Sequence, residues 1–260
     1  MVTLLLALST ALGLVVGSFS NVVIHRLPRR ESVVFPGSRC PRCGTAIRWY
    51  HNVPLLSWIA LRGRCASCRA PISPRYPLVE ATCGGLFLAC ALRWEISWAT
   101  PVAWVFCTMV LCLALIDLEH HLLHDVLTYP GIALGIAASF VAPWTRPVDS
   151  LAGAALGAAV PALLIGLYAL RGVEAMGWGD VKFMAMAGAF LGWRGALLTL
   201  VGGSLIGILL GGGWLLFSRR GRATPLPFGT FLGMAALLAL FFGEAAWGWY
   251  LGLFPKGGAP

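Results

Sequence analysis

Acidic residues within apolar stretches are the first candidates for chemistry in this 260-residue sequence. Asp117 ends an apolar run that starts at residue 111, Asp180 follows Gly-Trp-Gly at the start of another, and Glu80 lies early in a third. Ionisable groups cost free energy in apolar surroundings and therefore indicate function. Two close carboxylates resist double ionisation, so one can act as base on a water while the other protonates a carbonyl or leaving amine. Asp117 and Asp180 together predict aspartic-protease chemistry.

A simpler interpretation of these acids stays open. Either aspartate alone is also compatible with an interfacial charge or a helix cap. The Gly-x-Gly sequence before Asp180 favours a functional role, because glycines allow a sharp turn and the close approach of an extended peptide.

Four of the eight cysteines form two Cys-x-x-Cys pairs separated by 21 residues, namely Cys40/Cys43 and Cys65/Cys68. This spacing is typical of a zinc site, and four thiolates favour a closed structural site over a catalytic one. The alternatives are a pair of disulfides or a redox-active dithiol. A reducing cytoplasm disfavours the disulfides, and a redox pair normally occurs alone.

The elements that must position these residues are apolar helices. Hydrophobic residues make up 58% of the chain and charged residues 11%, against about 25% charged in an average soluble domain. This composition excludes a disordered chain and disfavours an ordinary soluble domain. We predict an all-α polytopic membrane helical bundle of about eight transmembrane spans, at residues 2–24, 78–92, 98–118, 126–142, 150–170, 181–192, 195–217 and 228–252. One broken span over 181–217 is the alternative to the two in that region.

The positive charges predict the orientation. Residues 25–76 carry ten arginines and one acid, and positive loops stay in the cytoplasm. With eight spans, cytoplasmic segments hold fifteen of the 19 Lys and Arg residues, including Arg219, Arg220 and Arg222. Asp117 and Asp180 then lie at the cytoplasmic face. A basic loop between membrane spans need not bind nucleic acid, and we expect none as a partner.

Several motifs together resemble the type 4 prepilin peptidases, membrane aspartic proteases of the Gly-x-Gly-Asp class that also N-methylate their product. The resemblance covers nearly the whole chain, and His124 stands where the family usually has proline. The matching pieces, besides the cysteine pairs, are Gly17–Pro28, Asn52–Trp58, Leu61–Cys65, Ile72–Glu80, Ile116–Asp125 and Gly177–Lys182.

The resemblance implies a bifunctional enzyme of the bacterial inner (cytoplasmic) membrane whose active site faces the cytoplasm. Its substrates would be type IV prepilins or pseudopilins, cleaved after Gly and then N-methylated on the new terminal Phe from S-adenosyl-L-methionine. The lipid bilayer is the other expected partner. The resemblance assigns catalysis to Asp117 and Asp180, structural Zn²⁺ to Cys40, Cys43, Cys65 and Cys68, and substrate binding or methyl transfer to Gly63, Glu80 and Lys182.

The predicted domains are a first transmembrane span at 1–24, a cytoplasmic zinc-binding loop with four cysteine ligands at 25–76, and a transmembrane aspartic peptidase core at 77–260. Two alternatives stay open. One is a peptidase without methyl transfer, in which the zinc loop is structural or docks substrate. The other is a non-proteolytic membrane transporter with the aspartates as a relay, although transporters tend to show inverted repeats that are not evident here.

Overall fold

The structure is a computed structural model that describes residues 2–172, 176–213 and 226–253. Within these ranges the chain forms helices and no β-strand, with only two isolated β-bridges. The all-α prediction is confirmed. The α-helices are α1 (Val2–Arg26), α2 (Leu56–Ala60), α3 (Arg75–Trp94), α4 (Ala99–His120), α5 (Asp125–Ala138), α6 (Pro147–Ala169), α7 (Trp178–Ile206) and α8 (Phe228–Gly252).

Five described helices are long and apolar enough to cross a membrane: Val2–Arg29, Ala99–His120, Pro147–Ala169, Trp178–Gly212 and Phe228–Gly252. This number is smaller than the eight predicted spans, although every predicted stretch contains a helix. α3 carries three charged residues, and the apolar helix α5 has only 14 residues. The membrane-protein class is therefore confirmed, with helices of unequal length. The predicted cytoplasmic arginines at 219, 220 and 222 lie outside the described residues.

Gly192 breaks the helix α7 into two halves. Its backbone, at φ 72° and ψ 178°, lies in a region that glycine enters without steric cost, and it separates residues 178–191 from 193–206. The first half has 14 residues and is therefore about 21 Å long, which is shorter than a hydrocarbon core of about 30 Å. The prediction of two separate stretches, at 181–192 and 195–217, requires a turn at this point.

The packing partners show that the chain reverses at this turn. The start of α7 and the start of α8 lie at the same end, because Gly179 and Gly229 both face Leu123. The helical turn Gly207–Gly212, which continues α7, returns to that end, because Gly211 packs on Leu226. The two-stretch prediction is thus supported as far as residue 213, and residues 214–217 lie outside the described part of the chain.

Contacts divide the chain into two compact units, Met1–Cys112 and Leu113–Pro260. In the first unit α1 packs on α3 through Gly13, Gly17 and Gly84, where an added Cβ would lie within 2.9 Å of neighbouring atoms. In the second unit Gly153 and Gly188 bring α6 and α7 into backbone contact. Small residues permit such close approach in lipid. The predicted division of roles among 1–24, 25–76 and 77–260 stays a prediction.

Candidate active site and metal centre

Asp117 lies in the last turn of α4 and is 5% exposed. Its Oδ2 atom accepts a hydrogen bond from the backbone N–H of Thr230 at 2.7 Å and lies 3.2 Å from the Thr230 hydroxyl oxygen. That hydroxyl is also 2.9 Å from the carbonyl oxygen of Ala114. Because Thr230 belongs to the first turn of α8, Asp117 acts as a capping carboxylate for a helix 113 residues away along the chain.

Gly229 makes this contact possible. A Cβ at residue 229 would lie 2.9 Å from Cγ of Asp117 and 2.9 Å from Cδ1 of Leu123. Only glycine lets the first turn of α8 come this close to the carboxylate. Sequence reasoning missed both Gly229 and Thr230, and the one available signal was a Gly-Thr pair at the start of the last apolar stretch.

Asp180 occupies the first turn of α7 and is 7% exposed. Its Oδ2 atom accepts a hydrogen bond from the backbone N–H of Gly177 at 3.1 Å, while the Asp180 N–H donates to the carbonyl of Gly177. The carboxylate thus makes the returning half of a capping box, in which an acid at the third helical position accepts from the N–H of the cap residue, while the backbone carbonyl of Gly177 takes the place of a cap side chain. The glycine-rich sequence before Asp180 therefore fixes the direction of its side chain.

The structure brings the two aspartates together. Leu123 contacts both Gly179, the residue before Asp180, and Gly229, which lies against Asp117. The same side chain thus lies against the backbone beside each aspartate. Both belong to the second unit, and both stand at helix ends rather than in the middle of an apolar helix.

Lys182, predicted to bind substrate or take part in methyl transfer, is paired within the protein. Its Nζ lies 2.6 Å from Oδ1 of Asp125 and 5.3 Å from the ring centroid of Tyr129. The Asp125 side chain is 54% exposed, so the pair contributes about 0–1 kcal/mol to stability. Its observed contacts fix α7 to α5 beside Asp180, and its substrate role stays a prediction.

His124 precedes Asp125 with φ −81° and ψ 130°, values that proline also adopts. His124 therefore leaves this turn in the conformation that the proline expected from the resemblance would impose.

The four loop cysteines converge in the first unit. Their Sγ atoms all lie within 4.8 Å of one another. Among the described residues, this is the one group of three or more His, Cys, Asp or Glu side chains with the geometry to hold a metal ion. The Sγ atoms of Cys40 and Cys68 are 3.8 Å apart, which equals the separation of about 3.8 Å expected for thiolates at tetrahedral corners 2.3 Å from zinc.

The two Cys-x-x-Cys turns have the same backbone structure. The N–H of Cys40 donates to the carbonyl of Thr45 at 3.0 Å, and the N–H of Cys65 donates to the carbonyl of Ala70 at 2.8 Å. The residue after each second cysteine has a positive φ, 70° at Gly44 and 59° at Arg69. This repetition shows that each pair forms one half of a common site.

The thiols differ in their acidity. Hydrogen bonds from the hydroxyl and the backbone N–H of Thr45 lower the pKa of Cys43 to about 6. The pKa of Cys68 rises to about 11: the backbone N–H of Ala70 lowers it, but desolvation and the neighbouring thiols Cys43 and Cys65 favour its protonated form more strongly. Without a metal ion, the cluster therefore ionises in steps.

Glu80 lines a cavity beside this centre, and Gly63 packs against Trp58, which also lines it. Oε2 of the buried Glu80 accepts the N–H of Leu55 at 2.9 Å and so holds the loop. Gly63 has φ 65°, and a Cβ there would lie 3.0 Å from the Trp58 ring. The cavity measures about 1190 Å³ and is lined by residues that include Asn21, Cys40, Trp58, Cys65, Tyr76 and Glu80.

Comparisons with known proteins agree with the motifs. The model of the bacterial peptidase A24 N-terminal domain matches residues 11–94, and that of the type IV leader peptidase family matches residues 104–212. Relatives called prepilin leader peptidase/N-methyltransferase include one from Stutzerimonas stutzeri, 38% identical over 92% of this chain and 91% of its own length. One from Pseudomonas aeruginosa is 38% identical over 90% of this chain and 89% of its own. One from Myxococcus xanthus is 45% identical over 82% of this chain and 64% of its own. No solved structure matches the chain.

Enlarging Gly229 should displace Asp117. We expect Gly229→Ala to lower the rate of peptide cleavage by about 10- to 100-fold, because displacing a reacting group by about 1 Å has effects of that size. The matched control is Gly248→Ala in the same helix, where an added Cβ meets nothing within 4 Å. Turnover of both variants and their helical content by circular dichroism would be compared, and unchanged turnover in Gly229→Ala would contradict the close contact.

The thiol acidities predict an order of alkylation in the metal-free protein. At pH 7 Cys43 is mostly thiolate and Cys68 mostly thiol, and only the thiolate is nucleophilic. Iodoacetamide should therefore modify Cys43 before Cys68, and lowering the pH through about 6 should slow the reaction at Cys43. Both residues are exposed, so access does not decide the order. Peptide mapping by mass spectrometry checks the order of alkylation. Equal alkylation rates of Cys43 and Cys68 at pH 7 would show that Thr45 does not lower the pKa of Cys43.

Proposed function

This chain belongs to the type IV leader peptidase family, and from that membership we propose that it processes prepilins or pseudopilins at the cytoplasmic face of the bacterial inner membrane. It cleaves the leader after Gly and then N-methylates the new terminal Phe with S-adenosyl-L-methionine. The observation that carries the proposal is the pair Asp117 and Asp180, two largely buried carboxylates held by backbone N–H groups at adjoining helix ends.

The aspartates act as the catalytic pair. One carboxylate takes a proton from water, and the other, sharing the proton that their proximity retains, gives it to the carbonyl oxygen or the leaving amine. The hydrogen bonds from Thr230 and Gly177 fix one oxygen of each carboxyl group. This holds the side chains in place before the substrate arrives, so little reorganisation is needed during the reaction.

The scissile peptide fits this position for two reasons. The Gly-Trp-Gly sequence before Asp180 leaves room for an extended backbone. Helix ends also place the carboxylates at the edge of the apolar region, where the leader of a membrane-inserted pilin meets its hydrophobic helix. The arginine-rich segments on the same predicted side favour a cytoplasmic position for this edge.

The four cysteines hold zinc as a structural ion. The donor set consists of thiols alone, and its dimensions fit tetrahedral coordination. All four positions are filled by the protein, so zinc would link the two turns at 40–45 and 65–70 and stabilise a loop that has little apolar core.

The cavity beside the metal centre would hold S-adenosyl-L-methionine, which would supply the methyl group. Its volume of about 1190 Å³ leaves space for the pilin amino terminus as well, since small-molecule sites measure about 300–1,000 Å³. Trp58 and Tyr76 offer aromatic faces, and the carboxylate of Glu80 complements a sulfonium cation. Gly63 contributes by leaving room for the Trp58 ring.

Neutralising either aspartate should stop cleavage without unfolding the protein. We expect Asp117→Asn and Asp180→Asn each to lower leader cleavage by about 10²- to 10⁴-fold, the usual contribution of a general acid or base. The measurement is mass spectrometry of a prepilin peptide incubated with the purified protein, with and without S-adenosyl-L-methionine. Glu244→Gln, which changes an exposed acid of α8, serves as the control. Retained cleavage in either aspartate variant would remove that residue from the mechanism.

Neutralising Glu80 should affect methylation alone. Gln keeps an oxygen that accepts the Leu55 N–H but lacks the charge, so Glu80→Gln should weaken S-adenosyl-L-methionine binding about tenfold, or about 1.4 kcal/mol. Glu31→Gln is the matched control, because Glu31 also lines the cavity but is exposed. The same mass spectrometry separates the two products. Equal losses of cleavage and methylation would mean that Glu80 only supports the loop.

A further inference from the structure

A second cavity lies in the second unit, at the opposite end from the aspartates. It measures about 410 Å³ and is lined by residues 143–146, Asp149 and the turn at 191–194. We name it the turn pocket. Gly192 is twelve residues after Asp180 in a helix, which places the pocket about 18 Å from the catalytic end. Nothing in the proposed reaction uses it.

The turn pocket is cationic. Arg146 and Arg194 line it, and Asp149 is the single acid among the described lining residues. Two helices also begin here, α6 at Pro147 and the second half of α7 at residue 193. The free N–H groups of a helix start add partial positive charge. The local charge therefore suits a monoanion.

The walls of the pocket are fixed before any ligand arrives. The Trp144 indole N–H donates to the carbonyl of Phe190 at 2.9 Å, and the Ser150 hydroxyl donates to the carbonyl of Ala189 at 2.6 Å. These bonds join the two segments that form the pocket. A preformed site loses less conformational entropy on binding than a mobile one.

Arg194 is held on an aromatic platform. Its guanidinium lies 5.3 Å from the Trp193 ring and 5.7 Å from the Trp247 ring. The two rings contact each other edge to face at 5.3 Å. Such stacking keeps the planar donors of arginine oriented. An oriented arginine recognises phosphate better than a mobile lysine would.

Exposed apolar side chains flank the lining residues along the chain. Phe140 is 74% exposed, Val141 52% and Val148 77%. Tryptophan is enriched where a membrane meets water, and Trp144 and Trp193 both line the pocket. A ligand with a phosphate in the pocket and hydrocarbon chains along these flanking side chains would bury both the charged and the apolar groups.

We propose that the turn pocket binds the phosphate of an anionic phospholipid headgroup, on the membrane face away from the aspartates. Arg146 and Arg194 hold the phosphate oxygens. Asp149 accepts hydrogen bonds from headgroup hydroxyls, so a phosphate that carries glycerol fits better than a bare phosphate. The site anchors the turn at Gly192 to the lipid surface.

The test uses the purified full-length chain in detergent, with native mass spectrometry and thermal unfolding in added phosphatidylglycerol, phosphatidylcholine or inorganic phosphate. Phosphatidylglycerol should remain bound and raise the unfolding midpoint, with an affinity at least tenfold higher than that of phosphatidylcholine. Arg146→Gln combined with Arg194→Gln should abolish this preference. Arg146→Gln alone should reduce it, and this single change of an exposed side chain guards against misfolding of the double variant.

Arg171→Gln, just after the C-terminal end of α6, is the control that removes the same single charge as Arg146→Gln elsewhere in the unit. It should leave the preference for phosphatidylglycerol intact. Equal binding of the two lipids, or an unchanged preference in the double variant, would overturn the proposal. A stabilisation by millimolar inorganic phosphate equal to that by phosphatidylglycerol would identify free phosphate as the ligand and overturn the lipid assignment.

Discussion

The hydrogen bonds to the two carboxylates are the constraint on which the second unit depends. A carboxylate among apolar helices is costly unless donors are arranged around it. Helix starts provide such donors, because their first N–H groups have no partner within the helix. Asp180 uses the start of its own helix, and Asp117 uses the start of α8. The end of α4 and the start of α8 must therefore meet, while Leu123 contacts both Gly179 at the start of α7 and Gly229 at the start of α8. These contacts place the two aspartates.

The glycines follow from the same requirement. Helix ends can meet around a carboxylate only where side chains are absent, as at Gly229 against Asp117 and Gly179 against Leu123. The turn at Gly192 has a related effect, since it returns the chain toward the end where α7 began. Without that reversal, α8 would have to reach Asp117 through a much longer connection. Glycine content that looks like general membrane packing thus includes positions that build the site.

Local signals in the sequence were sufficient for part of this structure. The cysteine pairs and the Gly-x-Gly-Asp sequence each span only a few residues. In the structure the cysteines form a four-thiol cluster, and Asp180 caps the start of its own helix. The partners of Asp117 were missed because Gly229 and Thr230 lie more than 100 residues away and carry no distinctive type. Helix lengths were also misjudged, because hydropathy alone does not show that α5 ends after 14 residues.

The two proposed activities rest on residues of different units. The aspartates, with Thr230 and Gly229, lie entirely within Leu113–Pro260, whereas the cysteines, Glu80 and the large cavity lie within Met1–Cys112. The two family matches, at 11–94 and 104–212, fall largely along the same division. Neither set of side chains depends on the other for its hydrogen bonds among the contacts described. The activities are therefore linked chemically by the substrate: cleavage creates the amine that methylation requires.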